Sequence, residues 1–160
     1  MEDINNEFLN FLLTAKKNTY AAEHDCDRAL TKILLTDTKQ FEYCQGEYSY
    51  RDIYAGTSFF VGQEIVYHKD RAFWSMVYSG GVTKQVEKNE EISDIYVFLK
   101  KVLRLVSKNN IYRGPSYFSD SDYIYENKFN GNPENFIGTE TISIGKQIVY
   151  RLNYSGGYIK

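Results

Sequence analysis

An internal repeat constrains this chain more than any other feature of its sequence. Two segments carry the same residue types in the same order at one constant offset of 76 residues. The first set is Gly62, Glu64, Tyr78, Ser79, Gly80, Gly81 and Lys84, and the second is Gly138, Glu140, Tyr154, Ser155, Gly156, Gly157 and Lys160. A fixed offset is typical of one supersecondary unit used twice. We therefore predict an α+β fold, a single domain over residues 1–160 made of two similar helix-plus-antiparallel-sheet repeats, at about 1–84 and 85–160.

Each predicted repeat begins with an amphipathic helix. The first helix has apolar residues at helical spacing, namely Ile4, Phe8, Phe11, Leu12 and Ala15. In the second helix, Ser93 is a candidate N-cap, and a wide apolar stripe runs from Ile95 to Val106. The segment from Tyr20 to Gln40 supports a short helix, a strand or a packed loop equally, so its structure stays open at this level.

Alternating residues predict antiparallel strands after each helix. Gly145-Lys146 fits a two-residue hairpin turn, which pairs Ile142 with Val149 and Glu140 with Arg151. The equivalent register in the first repeat sets Glu64 opposite Ser75. One strand face is then apolar in both repeats, and we predict that it is buried. Its residues are Ala72, Trp74, Met76 and Tyr78 in the first repeat and Ile148, Tyr150, Leu152 and Tyr154 in the second.

Composition narrows the classes of function. The chain has 15 Tyr and 10 Phe, which suit either half-buried sheet faces or an aromatic ligand cleft. A net charge of -2 gives no general attraction to nucleic acid. No apolar run is long enough to span a membrane, and the acidic start at Met1 lacks the pattern of a signal peptide. We therefore expect a cytoplasmic protein, with Cys26 and Cys44 as reduced thiols.

Glu64 and Glu140 are candidate acid–base groups because they occupy equivalent positions in the repeat. Paired carboxylates can exchange protons when their surroundings separate their pKa values. The predicted register favours a structural interpretation instead, since it gives Glu140 an ordinary cross-strand partner in Arg151. Arg113, at the Gly114-Pro115 turn, is a candidate either for holding an anionic ligand or for anchoring its own loop.

Metal and cofactor sites are not expected. His24 and His68 have no ligand-type spacing to cysteine or carboxylate, and Asp120 with Asp122 fits a turn better than a calcium loop. The Ser-Gly-Gly tripeptides do not form a phosphate-binding loop, and we expect their glycines to release each strand into a bend.

Several motifs along nearly the whole chain resemble those of an uncharacterised bacterial family. They are Ala15-Lys16-Lys17-Asn18-Thr19-Tyr20-Ala21, Tyr48-Ser49-Tyr50-Arg51-Asp52, Trp74-Ser75-Met76, Tyr112-Arg113-Gly114-Pro115, Tyr123-Ile124-Tyr125 and Gly156-Gly157-Tyr158-Ile159-Lys160. The family is a domain of unknown function that also occurs C-terminal to Cro-type helix-turn-helix regions in bacterial regulators. The resemblance implies a sensing or partner-binding module and no established catalytic residues. Because no helix-turn-helix precedes the first helix here, direct operator recognition is not expected.

Three hypotheses follow for function. The preferred one is a non-enzymatic module that binds a small molecule or a protein partner in an aromatic cleft between the repeats. Its predicted site residues are Trp74, Tyr78, Tyr150, Tyr154, Glu64, Glu140 and Arg113. The alternatives are a hydrolase-like enzyme with Glu64 or Glu140 as general base, and a structural or oligomerisation module. The hint for the last is the apolar pair Phe73 and Val77, which alternation sets on the face opposite Trp74.

Overall fold

The computed structural model describes residues 2–22 and 33–160, and most of them lie in one antiparallel sheet. In chain order the elements are α1 (Glu2–Asn18), β1 (Lys39–Gln45), β2 (Tyr48–Gly56), β3 (Phe59–His68), β4 (Arg71–Val82), α2 (Asn89–Leu103), β5 (Tyr117–Asp120), β6 (Tyr123–Asn132), β7 (Asn135–Ile144) and β8 (Gln147–Tyr158). Across the sheet the strand order is β1-β2-β3-β4-β8-β7-β6-β5. The centre of the sheet is therefore the pairing of β4 with β8.

The prediction of two helix-plus-sheet repeats is wrong. β4 pairs with β8 from Trp74 to Val82, so strands from both segments share one continuous, mainly β architecture. Two separate four-stranded sheets would leave β4 and β8 as open edges with unpaired backbone groups, and their pairing removes both edges.

Neither helix belongs to one segment of the sheet. In α1, Phe8 contacts Trp74 of β4 and Tyr158 of β8. In α2, Tyr96 contacts Phe60 of β3 and Tyr150 of β8. Both helices thus pack across the junction of the sheet, which is a second reason why the repeat model fails.

The buried face of the sheet is confirmed at its centre. Trp74, Met76 and Tyr78 of β4 are buried, as are Tyr150, Leu152 and Tyr154 of β8. At the start of each strand the prediction is wrong, because Ala72 and Ile148 precede the bulge of their strand and are exposed. Apolar residues of both helices join them in one core. These are Phe8, Phe11, Leu12 and Ala15 of α1 and Ile95, Phe98, Leu99, Val102 and Leu103 of α2. The two predicted helices are therefore confirmed, and they cover the same face of the sheet.

The start of α2 differs from the prediction. The helix begins at Asn89, and Lys88 occupies the N-cap position without a side-chain cap. Glu90 and Glu91 lie in the first turn, where negative charge stabilises the helix dipole. Ser93 consequently lies inside the helix and is not its cap.

A β-bulge changes the predicted strand register. Ile144 pairs with Gln147, and Gly145 has a φ of 59°, as expected of the short hairpin. The register then shifts, so that Ile142 faces Tyr150 and leaves Val149 as an extra residue. Beyond this point every pair moves by one position.

The displaced register redirects both candidate glutamates. Glu140 faces Leu152 and not Arg151. An equivalent shift between Val66 and Tyr67 sets Glu64 opposite Met76 and not Ser75. Because a one-residue slip moves a side chain to the other face of a sheet, both glutamates point into the core.

Phe73 is the extra residue of the bulge in β4, and it lies on the buried face and not on the outer face as predicted. Its ring lies 5.3 Å from that of Phe8, which also contacts Trp74, so Phe73 packs on the buried side. Val77 does lie on the outer face and is exposed. Val61 and Ile137 are exposed on the same face.

The Ser-Gly-Gly tripeptides lie inside β4 and β8 and do not form bends. Gly80 pairs with Leu152, and a Cβ added at Gly80 would lie 2.8 Å from the Cβ of Leu152. Likewise a Cβ at Gly156 would lie 2.8 Å from the Cα of Met76. Glycine is therefore required because the two central strands approach each other closely.

Part of the segment from Tyr20 to Gln40, whose structure the sequence leaves open, lies outside the described residues. The undescribed part is 23–32, which contains His24 and Cys26. Among the described helices, none combines the length and the apolar character that crossing a bilayer requires.

Candidate ligand-binding cleft

A cleft of about 520 Å³ opens between α2 and strands β1 to β3. One wall consists of α2 residues at helical spacing, namely Ile92, Tyr96, Leu99 and Leu103. The opposite wall is formed by Phe41 of β1, Tyr54 of β2 and Phe60 of β3. The cleft thus has mainly aromatic and aliphatic walls.

Side-chain contacts hold the two walls at a fixed separation. The Tyr96 hydroxyl donates a hydrogen bond to the carbonyl oxygen of Ser58, at 2.9 Å, and so ties α2 to the turn between β2 and β3. The Phe60 ring lies edge-on to Tyr54 at 6.0 Å between centroids and contacts Tyr96 at 6.2 Å. This turn and the helix therefore form one connected rim.

Asp52 lies at the base of the cleft. The Tyr78 hydroxyl donates a hydrogen bond to Asp52 Oδ1 at 2.6 Å, and only 3% of the Asp52 surface is exposed. Burial, followed by the charge of Glu64, raises the pKa of Asp52 from 3.8 to about 7, although the Tyr78 bond, Lys16 and Arg113 oppose the shift. This carboxyl therefore changes charge near neutral pH.

Behind Asp52 lies the buried ion pair of Lys16 and Glu64. Lys16 Nζ donates to Glu64 Oε2 at 2.5 Å and to the carbonyl oxygen of Tyr112 at 3.1 Å. Both side chains are fully buried, and burial lowers the pKa of Lys16 against the opposing charge of Glu64. Glu64 Oε1 has no hydrogen-bond partner within the described residues.

A second buried pair joins Arg113 to Glu140. The guanidinium donates from Nε at 3.2 Å and from Nη2 at 2.9 Å to the two oxygens of the carboxylate. Glu140 also accepts hydrogen bonds from the hydroxyls of Tyr125 at 2.6 Å and Tyr150 at 3.0 Å. Two-pronged binding of this kind saturates the carboxylate and fixes the loop that carries Arg113.

The charges of this buried layer do not balance. Lys16 is matched by Glu64 and Arg113 by Glu140, whereas Asp52 has no cationic partner of its own within 2–22 and 33–160. The position that matches Asp52 on the other side of the sheet is Asn127. Asn127 accepts a hydrogen bond from the Tyr154 hydroxyl at 2.6 Å and donates one to the carbonyl oxygen of Gly114 at 3.0 Å. On that side of the sheet, a neutral amide accepts the tyrosine hydrogen bond, and the position carries no charge.

The structure separates the predicted site residues into two groups. Tyr78 and Arg113 line the cleft. The others, Trp74, Tyr150, Tyr154, Glu64 and Glu140, are buried and do not line it. Glu140 accepts hydrogen bonds from both Arg113 and Tyr150, while the Trp74 ring stacks on Phe136 at 5.7 Å. The cleft therefore lies beside the junction of the two central strands and not along it.

Sequence reasoning missed Asp52 and most of the wall. Asp52 continues the alternation of Tyr48 and Tyr50 along β2, and all three are buried. A carboxylate at an inward-facing strand position is a signal that could have identified it, because burying a charge is costly without a partner. The aromatic walls of the cleft form only when α2 packs over the strands, and they include Tyr54, Phe60 and Tyr96.

No metal centre is formed by the residues for which coordinates are described. The His68 ring stacks on Tyr48 at 4.6 Å. Asp120 pairs with exposed Lys101 at 2.5 Å, and Ser121 has a φ of 53° between β5 and β6. The prediction of a turn at this position is confirmed.

Comparison with known protein families identifies the chain's relatives. A family described as a domain of unknown function (DUF5680) matches residues 52–159, which include Asp52, Tyr78, Arg113 and Glu140. No curated protein and no solved structure matches the chain.

Proposed function

The chain belongs to the DUF5680 family, and we propose that it is a non-enzymatic module that binds a small organic molecule in the cleft between α2 and β1 to β3. The observation that carries this proposal is the cleft itself, about 520 Å³ in volume, with aromatic walls and the buried carboxyl of Asp52 at its base. Ligand sites are commonly of this size and combine apolar walls with a few orienting polar groups.

A polar atom without a partner supports the same role. Tyr20 lines the cleft, and its hydroxyl is buried with no hydrogen-bond partner among the described residues. Leaving such a group unsatisfied costs about 1–3 kcal/mol, so a bound molecule that reaches it is stabilised by the new hydrogen bond. Tyr20 and Asp52 would then orient the ligand between the aromatic walls.

The proposal leaves Glu64 and Glu140 with structural roles. Each is fully buried and carries its own cation, and neither lines the cleft. A general base must reach the proton that it removes, directly or through one water molecule. The support therefore lies with binding at Asp52 and not with acid–base chemistry at the two glutamates.

We also propose a cytoplasmic sensing role for this binding. Cys44 is a free, exposed thiol, which suits a reducing compartment. The resemblance to domains that follow helix-turn-helix regions in bacterial regulators favours a module that responds to a small molecule.

Fragment screening by amide NMR tests the proposal. We expect fragments of ring size to shift the amides of Tyr54, Ser58 and Tyr96 at the cleft rim. Replacement Ile92→Trp should place an indole ring in the cleft and so obstruct ligand entry and abolish these shifts, because Ile92 lines it. Replacement Val97→Trp is the matched control, since Val97 lies on the same helix but is 65% exposed and does not line the cleft. Fragment binding that survives Ile92→Trp, or a library that leaves the rim amides unmoved, would contradict the proposal.

A further inference from the structure

We propose that the ligand carries one protonated amine and that its ammonium group binds the Asp52 carboxylate at the base of the cleft. This inference rests on the proposed function. The ligand class is therefore a small organic monoamine with an apolar body.

The charge of the buried layer supplies the first argument. With every group ionised, the layer contains Lys16 and Arg113 as cations and Glu64, Glu140 and Asp52 as anions. Two ion pairs use both cations at 2.5 and 2.9 Å, so within the described residues of this layer the ionised Asp52 carboxylate has no ion-pair partner. An isolated charge is expensive to bury unless it is neutralised or paired. Below neutral pH a proton neutralises Asp52, and above neutral pH a ligand with a single positive charge provides the missing partner.

A comparison of Asp52 with Asn127 supplies the second argument. Each accepts a tyrosine hydroxyl hydrogen bond of 2.6 Å, from Tyr78 and Tyr154 respectively. Asn127 performs this structural task as a neutral amide, so the task does not need a carboxylate. The negative charge of Asp52 is therefore available for a different purpose, and Asp52 is the member of the pair that lines the cleft.

Two aromatic rings of the cleft already lie beside cationic side chains. Lys39 Nζ lies 5.7 Å from the ring centroid of Tyr54, and the Arg113 guanidinium carbon lies 5.9 Å from that of Tyr78. Because these cations occupy the ring faces and repel a further positive charge, the ammonium group is expected at Asp52 and not over Tyr54 or Tyr78. Lys39 also lines the cleft, and its charge disfavours a ligand with several amines.

The charge state of Asp52 makes binding depend on pH. The titratable and charged groups that act on it come from every side, namely Tyr78, Glu64, Lys16, Arg113, Tyr50 and Tyr20. Burial and Glu64 raise the pKa of Asp52 to about 7, so the carboxylate form that attracts an ammonium group dominates only above neutral pH. An organic amine stays protonated over this range, since its pKa lies near 10, and affinity should increase about tenfold from pH 6 to pH 8.

The test uses matched pairs of probes that differ only in charge. These are 2-phenylethylamine with 2-phenylethanol, and tryptamine with 3-(2-hydroxyethyl)indole, each titrated into the full chain and followed by the rim amides and by calorimetry. We expect each amine to bind about tenfold or more tightly than its alcohol at pH 8, as an additional charge-assisted hydrogen bond allows. Replacement Asp52→Asn should remove this preference and its pH dependence. Glu126→Gln is the control, because Glu126 is a half-exposed carboxylate on β6 away from the cleft.

The outcomes separate the two proposals. Alcohols that bind as tightly as amines, with both excluded by Ile92→Trp, would overturn the amine inference and leave the cleft as a binding site. Amine preference that persists in Asp52→Asn would also overturn it. Failure of both probe classes and of the fragment library to move the rim amides would overturn the proposed function itself. If Asp52→Asn does not fold, the pH dependence of the wild-type preference decides, since a preference that does not rise from pH 6 to pH 8 contradicts binding at Asp52.

Discussion

Tyr78 and Tyr154 are cross-strand partners at the junction of β4 and β8. Their hydroxyls donate hydrogen bonds of equal length, 2.6 Å, to Asp52 on β2 and to Asn127 on β6. The two sides of the sheet thus use the same bond with acceptors of different charge. This difference leaves the ionised Asp52 carboxylate without an ion-pair partner among the described residues, and the proposed site depends on that carboxylate.

Replacement Asp52→Asn should stabilise the protein at pH 8. The folded pKa of Asp52 is raised from 3.8 to about 7, so the folded state holds a proton that the unfolded chain has released. The free energy of unfolding therefore falls as pH rises from about 4 to 7, and Asp52→Asn removes this loss. We expect a gain on the order of 2–4 kcal/mol at pH 8 and little change at pH 4, measured by urea unfolding. Asp122→Asn, at an exposed position, is the control, and a destabilised Asp52→Asn protein at pH 8 would contradict the assignment.

Replacement Asn127→Asp should have the opposite effect. It places a second uncompensated carboxylate in the core and removes the hydrogen bond from Nδ2 to the Gly114 carbonyl oxygen. Because burial raises the pKa of a carboxyl, the loss of stability should be largest above neutral pH and smaller near pH 4, with a cost of about 2–4 kcal/mol at pH 8. Thermal unfolding at both pH values measures it. Asn130→Asp on the same strand is exposed and should change little, and equal losses at the two pH values would count against the mechanism.

Replacement Lys16→Met should be strongly destabilising, and a second change should reverse most of the effect. Lys16 is the buried partner of Glu64, so its removal leaves a charge unpaired at a cost of about 3–5 kcal/mol. The double variant Lys16→Met/Glu64→Leu removes both charges, and we expect it to recover most of that loss. Denaturant unfolding of the wild type, both single variants and the double variant gives the coupling energy. A double variant no more stable than Lys16→Met would show that the pair is not what the core requires.

Replacement Gly138→Ala should disturb the Tyr154 ring. Gly138 pairs with Tyr154, and an added Cβ would lie 2.6 Å from Cε2 of that ring and contact its Cζ and hydroxyl oxygen as well. Overpacking against a buried ring costs about 3 kcal/mol. Gly145→Ala is the matched control, because a Cβ added at Gly145 would meet no heavy atom within 4 Å beyond its chain neighbours, and only the φ of 59° opposes a side chain, at about 1 kcal/mol. Equal stabilities of the two variants would contradict the proposed contact.

Periodicity in the sequence was sufficient to locate the core but not to align the strands. Alternation identified Trp74 and Tyr154 as buried, and helical spacing identified Phe8 and Phe98. Val149 is apolar at a position that the predicted alternation directs outward, but one such exception does not distinguish a bulge from an ordinary exposed valine. That single residue decides whether Glu140 faces solvent or Arg113.

The site was predictable only in part for a related reason. Tyr78 and Arg113 were recognised as candidates because of their repeat position and their turn. The walls need α2 to lie across β1 to β3, which depends on contacts such as that between Tyr96 and Phe60. The prediction of two helix-plus-sheet repeats packed as one domain failed because local patterns do not reveal that β4 pairs with β8.

The pairing of β4 with β8 has a consequence during synthesis of the chain. β4 leaves the ribosome long before β8, and until Gln147–Tyr158 emerge its backbone donors and acceptors have no neighbour on one side. A nascent chain at this stage presents a twelve-residue open edge that includes Trp74 and Met76. Such an edge is a template for misassembly with other nascent chains, and this hazard lasts until β8 pairs with β4.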